Sequence, residues 1–90
     1  MKFEWDPAKD SANQSKHGLS FEEAATVFGD RLALSWEDSE HSIGEDRTLT
    51  LGYTERQRLV IVAHTERDDR IRIISARWAT ATERRLYESG

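Results

Sequence analysis

An apolar run in the middle of the chain, residues 59–63 (LVIVA), limits the possible folds more than any other segment. All of its side chains are hydrophobic, so an extended segment here offers no polar side chain to water on either face. Such a run is typical of the central strand of a sheet that is covered on both faces. The sequence therefore predicts a strand over residues 58–65 with a neighbouring strand on each side.

Capping signals mark two helices before this strand and one helix near the end of the chain. Asp6 and Pro7 suit the start of the first helix, and Gly18 suits the left-handed position after it. Ser20 and Thr80 each precede a glutamate by three residues, which is the capping-box spacing. A chain of 90 residues has room for one core. We therefore predict a single α+β domain over residues 1–90, ordered β-α-α-β-β-β-β-α, with one antiparallel sheet flanked by helices. The predicted strands cover residues 3–5, 31–36, 46–53, 58–65 and 70–77, and the predicted helices cover residues 7–17, 20–29 and 80–87.

Arginines interrupt the last predicted strand, residues 70–77, which reads RIRIISAR. Two interpretations are open: the guanidiniums hold an anion such as RNA phosphate, or they pair with the many carboxylates of the chain. Strict alternation places Arg77 on one face with Ser75 and places Arg70 and Arg72 on the other face. This pattern predicts that the three arginines do not serve one site.

The charge distribution restricts how nucleic acid could be bound. The net charge is −4, and all six basic residues after position 65 are arginines. Long-range attraction of RNA would be weak, so RNA contact requires a local arginine cluster; an acidic body also suits a basic protein partner. The chain has no cysteine, no apolar run long enough to span a membrane and no signal-peptide pattern at its N-terminus. We therefore expect a cytoplasmic protein that does not associate with a membrane.

Several polar residues suit metal-independent RNA cleavage, which needs proton transfer and fixed cations at the phosphate. Lys16 and His17 could hold phosphate and move a proton, or could complement the dipole of the first helix. Glu45 and Arg47 are two positions apart, so on a strand their side chains would point to the same face. They could act as a base and its phosphate clamp, or they could form an ordinary surface ion pair. Arg67 is predicted in the turn before the arginine strand.

The other histidines and the tryptophans have plainer interpretations. His41 lies in an acidic loop and is expected to be solvated, whereas His64 is expected to be a partly buried sheet residue. The histidines lack a metal-ligand spacing such as HExxH, so neither a metal nor another cofactor is expected. Trp78 is expected to pack in the core or, if exposed, to stack on a base.

Several segments together resemble the BrnT family of toxins from bacterial type II toxin–antitoxin systems. The resemblance rests on FEWDPAK, on Asn13 with KHGLSFEEAATVF, on Glu45 with Arg47, and on RIISAR followed by Ala79, Glu83 and Tyr87. It implies a RelE-like fold and a ribonuclease that inhibits translation. It also implies a BrnA-type ribbon-helix-helix antitoxin, whose complex with the toxin binds operator DNA and represses the operon.

The resemblance also implies which polar residues line the RNA site. The expected catalytic residues, including the holders of phosphate, are His17, Glu45, Arg47, Arg67 and Arg77. The expected RNA-binding residues are Lys16, Arg72, Trp78 and Tyr87, although Tyr87 could instead only hold the last helix in place. Trp78 departs from the family, which usually has Lys or Arg at this position, so a cation is replaced by a ring that could stack on a base. The alternative function is a non-catalytic module that binds an antitoxin-like partner and acts only in a repressing complex.

Overall fold

The computed structural model describes residues 1–41 and 46–90, and its elements follow the predicted order. Strands β1 to β5 span Lys2–Glu4, Leu34–Glu37, Thr48–Tyr53, Leu59–Arg67 and Arg70–Trp78. Helices α1 to α3 span Pro7–His17, Phe21–Ala25 and Ala81–Ser89, and a 3-10 turn, Thr26–Gly29, continues α2. The predicted α+β class is confirmed.

The five strands form one sheet in the order β1-β5-β4-β3-β2, so the apolar run lies in the central strand as predicted. Strands β2 to β5 pair with antiparallel neighbours. The prediction of a wholly antiparallel sheet is wrong at one edge, because β1 runs parallel to β5 with Phe3 opposite Ile71. Here the first strand supplies hydrogen bonds to the edge of β5 that would otherwise remain open.

Local capping explains where the helices begin and end. Asp6 Oδ1 accepts a hydrogen bond from Ala8 N at 2.8 Å, and Gly18 ends α1 with a φ of 66°. Ser20 Oγ accepts from Glu23 N at 3.0 Å, and the Thr80–Glu83 capping box is complete at the start of α3. These side chains satisfy backbone groups that a helix end otherwise leaves unpaired. The predicted caps at Asp6, Gly18 and Thr80 are therefore confirmed. At Ser20 the N-cap is confirmed, but Glu23 Oε2 accepts from Thr54 Oγ1 at 2.8 Å, so the capping box there is only half formed.

The two faces of the sheet are covered to different extents. Helices α1 and α2 cover the first face, which we call the helix face, and they enclose most of the buried core. The core on this face consists of Leu19, Phe21, Ala24, Val27, Val60, Val62, Ile73 and Ala76. On the opposite face, which we call the open face, Leu51, Leu59 and Ile61 form a smaller cluster against which Tyr87 of α3 packs. The short α3 leaves part of this face accessible.

A β-bulge in β5 changes which arginines share a face. Ser75 pairs with Ala63 but Ile73 pairs with His64, so Ile74 is an extra residue without its own partner on β4. Arg72 consequently pairs with Thr65, which lies two residues beyond Ala63 and on the same face. Strict alternation is broken at the bulge, and the predicted separation of Arg72 from Arg77 is wrong.

The hairpin between β4 and β5 is also tighter than predicted. Arg67 is the last residue of β4 and pairs with Arg70, so it does not lie in the turn. Asp68 adopts a φ of 57°, a left-handed conformation that aspartate tolerates better than most residues. This short turn lets the strand pairing continue to Arg67.

His64 lies within the helix face and is more completely buried than the partly buried sheet residue that was predicted. Its Nε2 lies 2.7 Å from Thr50 Oγ1, which lies 2.7 Å from Ser35 Oγ, and its ring packs edge-on against Phe28. Burial lowers the pKa of His64, because a charged imidazole would lose its hydration. These contacts indicate a structural role for this histidine.

Gly52 lies where the backbone of β3 approaches the 3-10 turn too closely for a side chain. A Cβ atom at this position would lie 2.9 Å from Val27 Cγ2 and 3.0 Å from Ala33 Cβ. We expect Gly52→Ala to lower the free energy of unfolding by about 1–3 kcal/mol through overpacking, as measured by urea denaturation. Gly29→Ala is the control, since a Cβ atom there meets nothing within 4 Å. Equal stability of the two variants would contradict this explanation.

Candidate functional site

The accessible part of the open face contains a cavity of about 320 Å³. Its apolar floor is formed by Leu49, Ile61 and Ala63 from the central strands. The polar residues around this floor, among those that the structure describes, are Asp38, Glu40, His41, Arg47, Ser75 and Arg77. We call this cavity the arginine groove. Of the described residues predicted to be catalytic, the cavity brings together Arg47 and Arg77.

Arg77 reaches the groove from β5, where it pairs with Ile61 of the central strand. Its Nη1 and Nη2 donate to Glu83 Oε1 and Oε2 at 2.8 and 2.9 Å, a two-pronged ion pair with α3. The hydrogen bond from Arg77 lowers the pKa of Glu83 to about 2, and Glu83 in turn raises the pKa of Arg77. The Arg77 side chain is still 42% exposed, so a ligand in the groove can reach it.

Arg47 lies just before β3, next to the turn that forms one wall of the groove. Its carbonyl oxygen accepts a hydrogen bond from Asp38 N at 2.8 Å. This bond ties the turn at residues 38–41 to the strand that carries Leu49. Glu45, the predicted partner of Arg47, lies outside the described residues, so its proposed role as a base remains a prediction.

The same turn brings a second pair of polar side chains to the groove. His41 Nδ1 lies 3.0 Å from Asp38 Oδ2 and 3.2 Å from Asp38 Oδ1. His41 lines the groove and is 60% exposed, so the expected exposure is confirmed although its place in the candidate site was not anticipated. The sequence did contain a signal, because an aspartate three residues before a histidine in a turn can reach the imidazole ring.

Further arginines of β5 lie on the open face beyond the groove. Arg72 Nη1 donates to Glu4 Oε2 at 3.1 Å, and Arg70 Nη1 donates to Glu4 Oε1 at 3.4 Å. The hydrogen bond from Arg72 is the main reason that the pKa of Glu4 is lowered. Because of the bulge, these guanidiniums continue along the same face as Arg77. Neither Arg72 nor Arg67 lines the groove itself.

The predicted residues at the end of α1 lie on the other side of the sheet. Trp78 pairs with Val60, a residue of the helix face, and its Nε1 donates to His17 O at 2.8 Å. The guanidinium of Arg58 lies 5.4 Å from the centre of the Trp78 ring. His17 and Trp78 therefore face away from the arginine groove, and Lys16 occupies the last turn of the same helix. The structure does not bring these residues to Arg47 and Arg77.

Tyr87 also lies outside the groove, where it seats α3 against the sheet. Its hydroxyl donates to Asp30 Oδ2 at 2.7 Å, and its ring packs edge-on against Tyr53. Burial and the hydrogen bond to Asp30 raise the pKa of Tyr87 to about 12. These contacts account for Tyr87 in a structural role, and its predicted contact with RNA remains untested.

Residues 1–41 and 46–90 contain no cluster of three or more His, Cys, Asp or Glu side chains arranged to hold a metal ion. Within the same ranges, none of the helices has the length and apolar character needed to cross a membrane.

The fold and the groove together define a class: a small α+β domain that presents arginines on the partly open face of a five-stranded sheet. The chain belongs to the BrnT family, described as the ribonuclease toxin BrnT of type II toxin–antitoxin systems, whose family model matches residues 5–83. The crystal structure of the Brucella abortus ribonuclease toxin BrnT is similar, with a TM-score of 0.68 and 23% sequence identity. That match covers 89% of this chain and 97% of the Brucella chain. A search of curated proteins found no match. Membership of this family implies an antitoxin partner.

Proposed function

We propose that the protein is an endoribonuclease toxin that inhibits translation by cleaving RNA without a metal ion. The observation that supports this most is the presence of Arg47 and Arg77 around one groove. Guanidiniums bind phosphate through paired N–H groups, and they stabilise the charge that builds on phosphate during cleavage. The exposed part of Arg77 lets phosphate compete with Glu83 for its N–H groups.

The arrangement of the other arginines supports binding of an extended RNA strand rather than an isolated phosphate. Arg70 and Arg72 follow Arg77 along the open face because of the bulge at Ile74. Successive phosphates of single-stranded RNA can contact such a row of cations. In this proposal, Arg77 and Arg47 hold the phosphate that reacts, and Arg72 contributes to binding of the flanking RNA.

The proposed partner is a BrnA-type antitoxin with a ribbon-helix-helix domain. Neutralisation requires the antitoxin to keep RNA from the groove. Operator DNA would be contacted only through the toxin–antitoxin complex, because the net charge of −4 does not favour direct binding of DNA by the toxin.

One observation favours a second function, that of a non-catalytic interaction module. The three arginines of β5 are each paired within the fold, Arg70 and Arg72 with Glu4 and Arg77 with Glu83. Arginines that serve only these pairs would leave the protein to act through its antitoxin complex. RNA cleavage by the purified protein separates the two functions.

We expect the purified protein to cleave single-stranded RNA in the presence of EDTA. An excess of the antitoxin should stop cleavage, which gel electrophoresis of end-labelled RNA would measure. A DNA strand of the same sequence is the control and should stay intact, because the proposed reaction needs a 2′-hydroxyl. RNA that remains intact at equimolar protein would contradict the ribonuclease function and favour the interaction module.

A further inference from the structure

We infer that His41 is the general base of the RNA cleavage reaction and that Asp38 is its positioning residue, an inference that rests on the proposed ribonuclease function. The groove that holds Arg47 and Arg77 also contains this histidine and this aspartate. A phosphate held by the two arginines would therefore lie in the same cavity as an imidazole that can accept a proton.

The contact with Asp38 gives the imidazole a defined orientation and tautomer. Both carboxylate oxygens lie within 3.2 Å of His41 Nδ1, so this nitrogen donates its proton to the carboxylate. Nε2 then carries the lone pair that can accept a proton from a substrate. The Asp38 side chain is only 12% exposed, whereas the imidazole that it contacts is 60% exposed. The same logic operates wherever a carboxylate fixes the tautomer of a catalytic histidine.

The backbone of the turn connects this pair to the cationic part of the groove. Asp38 N donates to the carbonyl of Arg47, and His41 N donates to the carbonyl of Asp38 at 3.3 Å. The charged groups that share the groove with the imidazole are Asp38 and Glu40 from the turn, Arg47 from beside β3 and Arg77 from β5. The turn that carries the proposed base is therefore hydrogen-bonded to Arg47, one of the two arginines proposed to hold phosphate.

The other two histidines are poorer bases for a reaction in this groove. His17 lies at the end of α1, where its carbonyl contacts Trp78 on the helix face. His64 is buried, and its Nε2 is engaged by Thr50. Glu40 also lines the groove, but imidazole is the side chain that exchanges protons most readily near neutral pH. Among the described groove residues, His41 is therefore the best suited to this step.

The proposed reaction is an internal attack within the RNA strand. Nε2 of His41 accepts the proton of the 2′-hydroxyl as the 2′-oxygen forms a bond to the adjacent phosphorus. The bond from phosphorus to the 5′-oxygen breaks, and that oxygen leaves with the electron pair and takes a proton from water. The products are a 2′,3′-cyclic phosphate and a 5′-hydroxyl end, and His41 returns its extra proton to solvent.

We expect His41→Gln to lower the rate of cleavage by a factor of about 100 or more, because a positioned general base contributes 10²- to 10⁴-fold. Affinity for a 2′-deoxy strand that cannot be cleaved should stay within about twofold, since phosphate binding by the arginines persists. The wild-type rate should rise with pH as the general base loses its proton, and this rise should be absent in His41→Gln. Added imidazole should partly restore cleavage by His41→Ala, which a purely structural role would not allow.

Asp38→Asn tests the positioning role separately. The amide can still contact the ring, but it lacks the negative charge of the carboxylate. The rate of cleavage and its dependence on pH should therefore both differ from those of wild type. A rate and pH profile equal to wild type in Asp38→Asn would overturn the role of Asp38.

Different results would overturn the role of His41 and the ribonuclease function. RNA that stays intact with wild-type protein would overturn both. Cleavage by His41→Gln at the wild-type rate, or loss of the pH dependence in His17→Gln but not in His41→Gln, would overturn only the role of His41. Products with a 3′-phosphate and no cyclic intermediate would overturn the proposed attack by the 2′-hydroxyl.

Discussion

Replacing Arg77 by alanine should lower the rate of RNA cleavage by a factor of about 100 to 1,000, the effect of removing one preorganised charge-stabilising group. Arg77 is the residue of β5 that lines the groove and offers a guanidinium to phosphate. Because its hydrogen bonds should strengthen as charge builds on the phosphate, the loss should appear mainly in kcat. Single-turnover cleavage of a labelled RNA would measure it.

Two further variants show whether the guanidinium itself is needed. Arg77→Lys keeps the charge but loses the two-pronged geometry, so an intermediate rate is expected. Arg85→Ala removes an exposed arginine of α3 whose Nη2 donates to Thr82 Oγ1 at 3.4 Å, and this variant should cleave RNA like wild type. If Arg77→Ala also cleaved RNA at the wild-type rate with its fold intact, the groove would not be the active site.

Much of the fold could be predicted because its signals are local. Asp6, Ser20 and Thr80 act on backbone groups two or three residues away, and the cap contacts occur as the spacing predicted. The central position of the apolar run follows from its composition alone. Such features depend on neighbours in sequence, and they require no knowledge of how distant segments meet.

The faces of the arginine strand could not be predicted, because a bulge depends on distant contacts. Ala76 N, just beyond the bulge, donates to the Asn13 side chain at 3.2 Å, and Asn13 also donates to Leu19 O. A buried side chain of α1 therefore satisfies a backbone group of β5 near the point where the strand register changes. Nothing within RIRIISAR indicates this contact.

The candidate site was predicted only in part for a similar reason. Arg47 and Arg77 are 30 positions apart, and pairing of β3 and β5 with β4 brings them to one groove. His17 resembled a site residue by its chemistry, yet α1 packs on the opposite face of the sheet. His41 appeared to be an ordinary loop residue, because the sequence does not show that its turn closes one wall of the groove.

Replacing Glu83 by glutamine should lower the free energy of unfolding by about 1–2 kcal/mol at pH 7, because it removes the charge from a hydrogen-bonded ion pair. Solvent around the partly exposed Arg77 screens this pair and keeps the loss of stability small. Glutamine can still accept the hydrogen bond from Thr80 N, so the substitution leaves the capping box and weakens the pair with Arg77. Urea denaturation at several pH values would measure the effect. Glu88→Gln, the same change at an exposed position of α3, is the control and should alter stability by less than about 0.5 kcal/mol.

The pH dependence of this difference has a definite sign. The pKa of Glu83 is lowered from 4.5 to about 2 in the folded protein, so its ionised form stabilises the fold. This contribution is fully present well above pH 4.5 and decreases as the pH falls through 2, because the carboxylate is protonated in both states only below that pH. The stability of wild type and Glu83→Gln should therefore converge between pH 5 and pH 2. A difference that stays constant over this range would contradict the ion-pair explanation.

Together, the Glu83 and Arg77 variants separate the structural role of the pair from its proposed role in cleavage. Arg77→Ala and Glu83→Gln both disrupt the contact that links β5 to α3, so both should lose stability. Only Arg77→Ala removes the guanidinium from the groove, and Glu83→Gln removes the carboxylate that competes with phosphate for it. Glu83→Gln should therefore bind RNA at least as tightly as wild type and still cleave it. Equal loss of cleavage in both variants would mean that Arg77 acts only by holding α3 in place.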